Sequence, residues 1–83
     1  MEVLPFSKNV EKTIVKYRLS KKLCKQLKLL VENLKHPSLN VELLEPKRYA
    51  IYSFRIDIKF RALFVFHKEF KGIEILSITK HYR

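Results

Sequence analysis

The spacing of apolar residues in the first part of the chain predicts two amphipathic helices. Ser7 is a candidate helix N-cap, and the apolar residues behind it share one face of a helix that ends near Arg18. Ser20 is a second candidate N-cap, followed by apolar residues at helical spacing: Leu23, Leu27, Leu30, Val31 and Leu34. Pro37 disfavours a helical conformation in the residue before it, so we expect the second helix to end at His36. Helices this close along the chain form a hairpin whose apolar face needs a cover.

After residue 37 the pattern changes to the alternation typical of strands. Strands are predicted over residues 41–44, 49–56, 60–67 and 73–79, with residues 3–6 as a candidate edge strand. The loops between them are too short for crossover helices, so the sheet should be mainly antiparallel. The predicted fold class is α+β: an N-terminal helical hairpin packed on a curved, mainly antiparallel sheet of about four strands, in a single domain over residues 1–83.

Aromatic residues on both central strands indicate how the two strands pair. If residues 57–59 form a three-residue loop, Arg55 lies directly opposite Arg61, on the face away from the aromatic core. Facing arginines destabilise a sheet by roughly a few tenths of a kcal/mol or more. Either an anion such as a phosphate binds between them, or each reaches an acidic neighbour such as Glu74 or Glu42. The spacing leaves both interpretations open.

The charge of the chain indicates a polyanionic or acidic partner. It has 83 residues, with 18 Lys or Arg against 8 Asp or Glu, a net charge of +10 and a pI near 10.0. No apolar run approaches the roughly 18 residues of a spanning helix and no signal peptide is evident, so we expect a cytoplasmic protein without a membrane partner. Cys24 is the single cysteine, the acidic residues are scattered and the one glycine cannot build a phosphate-binding loop, so we expect neither a metal nor another cofactor.

Groups suited to metal-free RNA cleavage occur near the end of the chain. His81 and Tyr82 follow Lys80 at the end of the last predicted strand. If they meet Arg55 and Arg61 on one concave face, they supply the required chemistry. A base takes the ribose 2′-hydroxyl proton, cations stabilise the phosphorane, and an acid protonates the leaving 5′-oxygen.

Four stretches of the chain carry a resemblance to a known family. In chain order, these stretches are His36-Pro37-Ser38-Leu39, Tyr52-Ser53-Phe54-Arg55-Ile56, Lys59-Phe60-Arg61-Ala62-Leu63-Phe64 and Ile75-Leu76-Ser77-Ile78-Thr79-Lys80-His81-Tyr82. In this order and spacing they resemble the RelE/ParE superfamily of bacterial and archaeal type II toxins. The second and third stretches are similar to the aromatic-Ser-x-Arg-Ile and Tyr-Arg-Ala-hydrophobic signature of the family, and the last strand with its His-Tyr ending is similar to the RelE/YoeB-like branch. Phe60 departs from the family pattern, where a Tyr is common.

The resemblance implies a microbial-RNase-like fold, a ribosome-dependent cut in messenger RNA, and neutralisation by an acidic antitoxin. Arg61 would then stabilise the transition state, His81 would be a general acid or base, and Tyr82 would orient or stack on the substrate. Glu45 falls near the position of a catalytic carboxylate in some relatives. The remaining candidates, for contacts to RNA phosphates, are Arg55, Lys59, Lys80, Arg83, Lys47 and Arg48.

Two other functions fit the same resemblance. The ParE branch inhibits DNA gyrase without cutting RNA, and an inactive toxin-like domain would only bind RNA. The sequence leaves these alternatives to experiment.

Overall fold

The computed structural model describes residues 2–67, 69 and 71–80 and contains two helices and five strands in those residues. In chain order they are β1 (Glu2–Val3), α1 (Lys8–Lys16), α2 (Ser20–Glu32), β2 (Glu42–Leu43), β3 (Tyr52–Arg55), β4 (Phe60–His67) and β5 (Gly72–Lys80). Short 3₁₀ turns, Pro37–Leu39 and Lys47–Tyr49, precede β2 and β3. The predicted α+β class is confirmed.

The sheet has five strands in the order β1-β5-β4-β3-β2, one more than the predicted number of about four. The additional strand is β1, at the edge of the sheet, where residues 3–6 were the candidate edge strand and Glu2–Val3 form it. It pairs in parallel with β5, whereas the other neighbours are antiparallel. Its backbone is held by bonds such as Leu4 N–H to the Ile73 carbonyl, at 2.9 Å. Both helices and three strands separate β1 from β5 along the chain, which is the long connection that a parallel pair requires.

The structure confirms one of the two predicted helix caps. The Ser7 hydroxyl accepts a hydrogen bond from Val10 N–H at 3.2 Å and begins α1. This helix ends two residues before Arg18, which has a left-handed backbone with φ of 54°. The prediction for Ser20 was wrong, because Ser20 is the first helical residue and the buried Leu19 occupies the cap position without a side-chain bond.

The second helix ends at Glu32 instead of continuing to His36. Asn33 has an extended backbone, and its side-chain oxygen accepts a hydrogen bond from Lys35 N–H at 3.0 Å. Asparagine side chains compete in this way with helical backbone bonds. Pro37 therefore does not end the helix and instead opens the following 3₁₀ turn.

Both helices cover one face of the sheet, called here the inner face. Apolar side chains from α1 and α2 pack there on aromatic and aliphatic residues of the strands, and the fully or almost fully buried ones include Val10, Leu23, Leu30, Phe54, Ala62, Phe64 and Ile73. Edge-on ring contacts join Phe54 and Phe66 to the central Phe64. Burial of this apolar surface is the main stabilising contribution to the fold.

The predicted register of the central hairpin is confirmed. Arg55, the last residue of β3, is the direct partner of Arg61 of β4. The Phe60 carbonyl accepts the N–H groups of Ile56 at 3.0 Å and Asp57 at 3.3 Å, which closes the turn of residues 57–59. The pairing of β4 with β5 shifts by one residue, so that Leu76 bulges out of β5. Strand residues beyond the bulge keep their apolar side chains on the inner face.

Candidate active site

The opposite side of the sheet, called here the outer face, carries the two facing arginines. Their neighbours Phe54 and Ala62 are fully buried on the inner face, so strand alternation directs Arg55 and Arg61 outward. On the other side of Arg61, its partner in β5 is Thr79. The sheet therefore places two arginines directly opposite each other, on the outer face, where β3 ends and β4 begins.

Arg61 is held in a fixed position although it is a charged residue. It is only 8% exposed. The Ser53 hydroxyl accepts hydrogen bonds from its Nε at 3.1 Å and its Nη2 at 2.9 Å. The Asn40 carbonyl accepts a third from Nη2 at 2.6 Å. These partners restrict the guanidinium to one orientation.

The Asn40 carbonyl reaches Arg61 because the loop before β2 has a defined shape. Asn40 ends the 3₁₀ turn Pro37–Leu39 in a left-handed conformation with φ of 45°, which asparagine tolerates better than most residues. Leu39, just before it, is fully buried and anchors the loop. The loop thus supplies a backbone acceptor to a side chain of the sheet.

No carboxylate among the described residues forms an ion pair with Arg61. Glu74 instead contacts His67, with 2.6 Å between Glu74 Oε1 and His67 Nε2. Glu42 interacts with Arg61 only electrostatically, at a distance longer than that of an ion pair. Burial lowers the pKa of Arg61, Glu42 opposes this effect, and Arg55 adds to it. An arginine stays protonated at neutral pH even so. Arg61 is therefore a cation whose bonded acceptors are all neutral.

Arg55 is exposed, and its side chain makes no hydrogen bond or ion pair with the described part of the chain. Its backbone is fixed by Gln26 of α2, whose buried amide donates to the Arg55 carbonyl at 2.7 Å and to the Ser38 carbonyl at 3.2 Å. This link joins the helical layer to β3 and to the loop that carries Asn40. The exposed guanidinium remains available to an anion.

The loop of residues 57–59 is also ordered by a side chain. Asp57 accepts the backbone N–H groups of Lys59 and Phe60, both at 2.8 Å, and the ammonium of Lys22 at 2.9 Å. Partial burial acts to raise the pKa of Asp57, but these hydrogen bonds outweigh it and the pKa is lowered. Lys59 is exposed at the tip of this loop, close in sequence to both arginines.

Lys80 does not join the arginines. It pairs with Phe60 and its ammonium lies 5.0 Å from the centroid of the Tyr17 ring, on the side of the helices. The expectation that it meets them on one face was wrong, because successive residues of β5 alternate and Thr79 takes the position opposite Arg61.

Three further candidates lie at the other end of β3. Glu45 follows β2 and precedes a cis bond to Pro46, and Lys47 and Arg48 belong to the 3₁₀ turn before β3. They are all exposed, and the guanidinium of Arg48 lies 5.0 Å from the ring centroid of Tyr49. No hydrogen bond or ion pair between described residues joins them to Arg61. His81, Tyr82 and Arg83 lie outside the described residues.

The residues that position the site were not predicted from the sequence. Ser53 was noted only as part of a motif, and neither Gln26 nor Asn40 was singled out. The one signal in the sequence is that Gln26 falls within the apolar stripe of the second helix, where a polar side chain that becomes buried needs a hydrogen-bond partner. A backbone carbonyl such as that of Asn40 has no sequence signal.

In residues 2–67, 69 and 71–80, no group of three or more His, Cys, Asp or Glu side chains is arranged to hold a metal ion. Within that part of the chain, neither helix is long and apolar enough to cross a membrane.

Comparison with known proteins identifies the fold. No family model matches the chain, and no curated protein matches its sequence. Among solved structures, a YoeB/ParE toxin from Agrobacterium tumefaciens superposes with a TM-score of 0.75 at 13% identity, over 99% of this chain and 100% of the other. The YoeB dimer from Staphylococcus aureus gives a TM-score of 0.75 at 22% identity, over 99% and 98% of the two chains.

A heterotetrameric YoeB–YefM toxin–antitoxin complex from Staphylococcus aureus gives a TM-score of 0.73 at 22% identity, again over 99% of this chain and 98% of the other. These superpositions cover nearly the whole of both chains. The chain therefore has the fold of YoeB/ParE toxins, and the resemblance seen in the sequence is confirmed at the level of the fold.

Proposed function

We propose that this chain is the toxin of a type II toxin–antitoxin pair and an endoribonuclease that cuts messenger RNA on the ribosome without a metal ion. The observation that carries the proposal is the uncompensated cation on the outer face. Arg61 is buried, oriented by three hydrogen bonds to neutral acceptors, and faces an exposed Arg55. The fold shared with YoeB/ParE toxins gives this arrangement its functional context.

A fixed guanidinium suits the chemistry of RNA cleavage. Negative charge builds on the phosphorane oxygens in the transition state, and donors that need no reorganisation stabilise it best. Since its partners are neutral, Arg61 keeps its full charge for the phosphate. Arg55 would bind the same phosphate from the neighbouring strand. This interpretation also gives a reason for the unfavourable pairing of two like charges.

Proton transfer is assigned to two residues near the end of the chain and to Glu45, which lies at the other end of β3 from Arg55. We assign His81 as a general acid or base and Tyr82 as the residue that orients or stacks on the substrate. Glu45 is proposed as a second acid–base group. Phosphate contacts are proposed for Arg55, Lys59, Lys80, Arg83, Lys47 and Arg48. The position of Lys80 on the helix side implies that its contact is to RNA outside the scissile phosphate.

The test is cleavage of a messenger by the purified protein on ribosomes, with fragments resolved by primer extension. We expect Arg61→Ala to slow cleavage by about 10²–10³-fold and His81→Ala by about 10²–10⁴-fold. His67→Ala is the matched control, because His67 contacts Glu74 and is not part of the proposed site. Circular dichroism of every variant separates lost chemistry from lost folding.

The possible outcomes test the assignment of the site and the proposed function separately. If the wild type cleaves and both variants cleave equally well, the assignment of the site is wrong. If the wild type cuts no messenger but inhibits gyrase supercoiling, the ParE-like alternative replaces the nuclease. If it does neither and its expression is harmless, the chain is an inactive toxin-like domain.

An acidic antitoxin is the proposed protein partner. The YoeB–YefM structures contain a toxin bound to an antitoxin, and the net charge of +10 favours an acidic partner for this chain. If a short acidic protein is encoded beside this chain, its co-expression should relieve toxicity. Titration calorimetry should show binding that weakens as salt increases, whereas affinity independent of salt would argue against charge as its basis.

A further inference from the structure

The end of β5 has few neighbours in the sheet. Among the described residues, β1 pairs with β5 only at Gly72 and Ile73, so the last residues of β5 have a strand neighbour on one side only, which is β4. Lys80 is exposed, and its ammonium forms neither an ion pair nor a hydrogen bond with a described residue. Strand ends with so few partners open readily. The position of this end therefore depends on the contacts that Lys80 does make.

The ammonium of Lys80 contacts two aromatic rings. It lies 5.0 Å from the centroid of the Tyr17 ring and 6.0 Å from the centroid of the Phe60 ring. The two rings contact each other, with centroids 4.8 Å apart and planes inclined by 43°. A cation this close to an aromatic ring is attracted by the negative charge on the ring face. The three residues Tyr17, Phe60 and Lys80 are called here the aromatic clamp.

Both rings of the aromatic clamp belong to well-anchored parts of the fold. Phe60 is only 6% exposed and is the direct partner of Lys80 in the sheet. Tyr17 directly follows α1 and packs against the core, and its backbone N–H donates to the Thr13 carbonyl at 3.1 Å. Helix α1 itself packs against β5. The clamp therefore joins the end of β5 to the end of a helix that is anchored independently.

The aromatic clamp adjoins the candidate site along both strands. Phe60 directly precedes Arg61 in β4. Lys80 directly follows Thr79, which is the partner of Arg61 in β5. His81, to which proton transfer is assigned, is the next residue in the sequence and lies outside the described residues. A misplacement of about 1 Å in a reacting group can slow a reaction by about 100-fold, so the position of the strand end bears on the rate.

We propose that Tyr17 is a positioning residue for cleavage, which holds the Lys80 ammonium and so fixes the strand end from which the chain continues to His81. This inference rests on the proposed function and deepens it, because it gives a part in the reaction to a residue outside the candidate site. The Tyr17 hydroxyl makes no hydrogen bond with a described residue. The ring alone therefore carries the contact.

Two other roles for Lys80 predict different kinetics. If Lys80 acted only as a contact to an RNA phosphate, its loss would raise KM, and substitution of Tyr17 would have no effect. If the contact between Tyr17 and Lys80 were merely structural, its loss would lower the stability of the fold without changing kcat. Loss of positioning instead lowers kcat, and it does so for a substitution of either residue.

The experiment measures kcat and KM for cleavage of ribosome-bound messenger by Tyr17→Leu, Lys80→Met and the double variant. Tyr17→Phe keeps the ring. Lys16→Met is the matched control, because the Lys16 ammonium also lies 5.3 Å from the centroid of the Tyr17 ring but belongs to α1. Backbone hydrogen exchange, followed by NMR, compares residues 78–80 with residues 73–75 in each variant. Thermal unfolding confirms that every variant is folded at the assay temperature.

We expect Tyr17→Leu and Lys80→Met each to lower kcat by about 3- to 30-fold, which is the range for loss of a partly shielded contact between a cation and a ring. The double variant should be no slower than the slower single variant, because both substitutions remove the same contact. In Tyr17→Leu, exchange should accelerate by a similar factor at residues 78–80 and stay unchanged at residues 73–75. Tyr17→Phe and Lys16→Met should stay within about twofold of the wild-type kcat.

The proposal requires both effects in Tyr17→Leu, so a wild-type kcat or wild-type exchange at residues 78–80 would overturn it. If only Lys80→Met alters cleavage, and does so through KM, Lys80 is a phosphate contact and the positioning role is refuted. If the wild type cuts no messenger, the proposed function fails on its own account. Exchange at residues 78–80 then decides the clamp: acceleration in Tyr17→Leu supports it, and unchanged exchange refutes it.

Discussion

Replacing Ser53 with Ala tests how Arg61 is held. The substitution removes the hydroxyl that accepts hydrogen bonds from Nε at 3.1 Å and Nη2 at 2.9 Å. Nη2 keeps the Asn40 carbonyl, but Nε has no other acceptor among the described residues. Ser53 and Arg61 are only 2% and 8% exposed, so water replaces the hydroxyl poorly. The substitution leaves part of a buried cation unsatisfied.

The expected loss follows from that geometry. A hydrogen bond from a charged donor contributes about 1.5–3 kcal/mol, so Ser53→Ala should lower the free energy of unfolding by about 2 kcal/mol. A chain of this length has a total stability of roughly 4–12 kcal/mol. The loss should move the urea midpoint by about 1–2 M. Cleavage should fall as well, because the guanidinium loses its fixed orientation.

Urea unfolding followed by far-UV circular dichroism measures the change, since the chain has no Trp for fluorescence. Ser77→Ala is the matched control. Ser53 and Ser77 both pair with Leu63, from opposite sides, and Ser77 makes no side-chain hydrogen bond with the described residues. Its truncation should change the free energy of unfolding by no more than about 0.5 kcal/mol.

A double-mutant cycle with Arg61→Met separates the bond from the rest of the site. Removing both partners leaves no buried donor without an acceptor. The double variant should therefore lose about 1–2 kcal/mol less free energy of unfolding than the two single variants lose together. Additive losses would refute the reasoning, as would a Ser53→Ala variant no less stable than Ser77→Ala. In either case Arg61 is not held by the serine.

Two other predictions concern the hairpin formed by β3 and β4. Asp57→Asn keeps an oxygen for the loop but cannot titrate. Hydrogen bonds from Lys22 and from two backbone N–H groups outweigh burial, so the pKa of Asp57 in the fold lies below its unfolded value of about 3.9. The carboxylate therefore stabilises the fold above about pH 4, and this contribution is lost as the pH falls through the lowered pKa. Urea unfolding from about pH 6 to about pH 3 should show the wild type losing its advantage over Asp57→Asn, and a constant difference would contradict this. Arg55→Gln removes a charge opposite Arg61, so the free energy of unfolding should stay the same or rise by about 0.5 kcal/mol while cleavage falls. Arg55→Lys should keep part of the activity, and unchanged cleavage in the Gln variant would exclude a role for that charge.

For the facing arginines, the structure argues against one of the two interpretations that the sequence left open. An acidic neighbour was one of them, but Glu74 contacts His67 and neither arginine forms an ion pair with a described carboxylate. Arg61 instead uses a hydroxyl and a backbone carbonyl. Every residue has a carbonyl, so no sequence pattern marks the one that will meet a particular guanidinium.

Elements governed by local periodicity were predictable from the sequence. Strand β4 lies over Phe60–His67 as predicted, and the pairing of Arg55 with Arg61 followed from matching aromatic faces across a loop of three residues. The inner and outer faces of the sheet follow from the same alternation. These features depend on residues close together along the chain, where side-chain chemistry and backbone geometry are directly linked.

Features that depend on distant partners were decided only by the tertiary structure. The parallel pairing of β1 with β5, the contact of Gln26 with two carbonyls, and the position of Lys80 beside Tyr17 all join segments far apart in the chain. Their energies come from burial and from the acceptors that the complete fold brings into reach. The sequence by itself determined which side chains share a face, and the assembled sheet and loops determined which of them are fixed, which stay exposed, and where the charges lie.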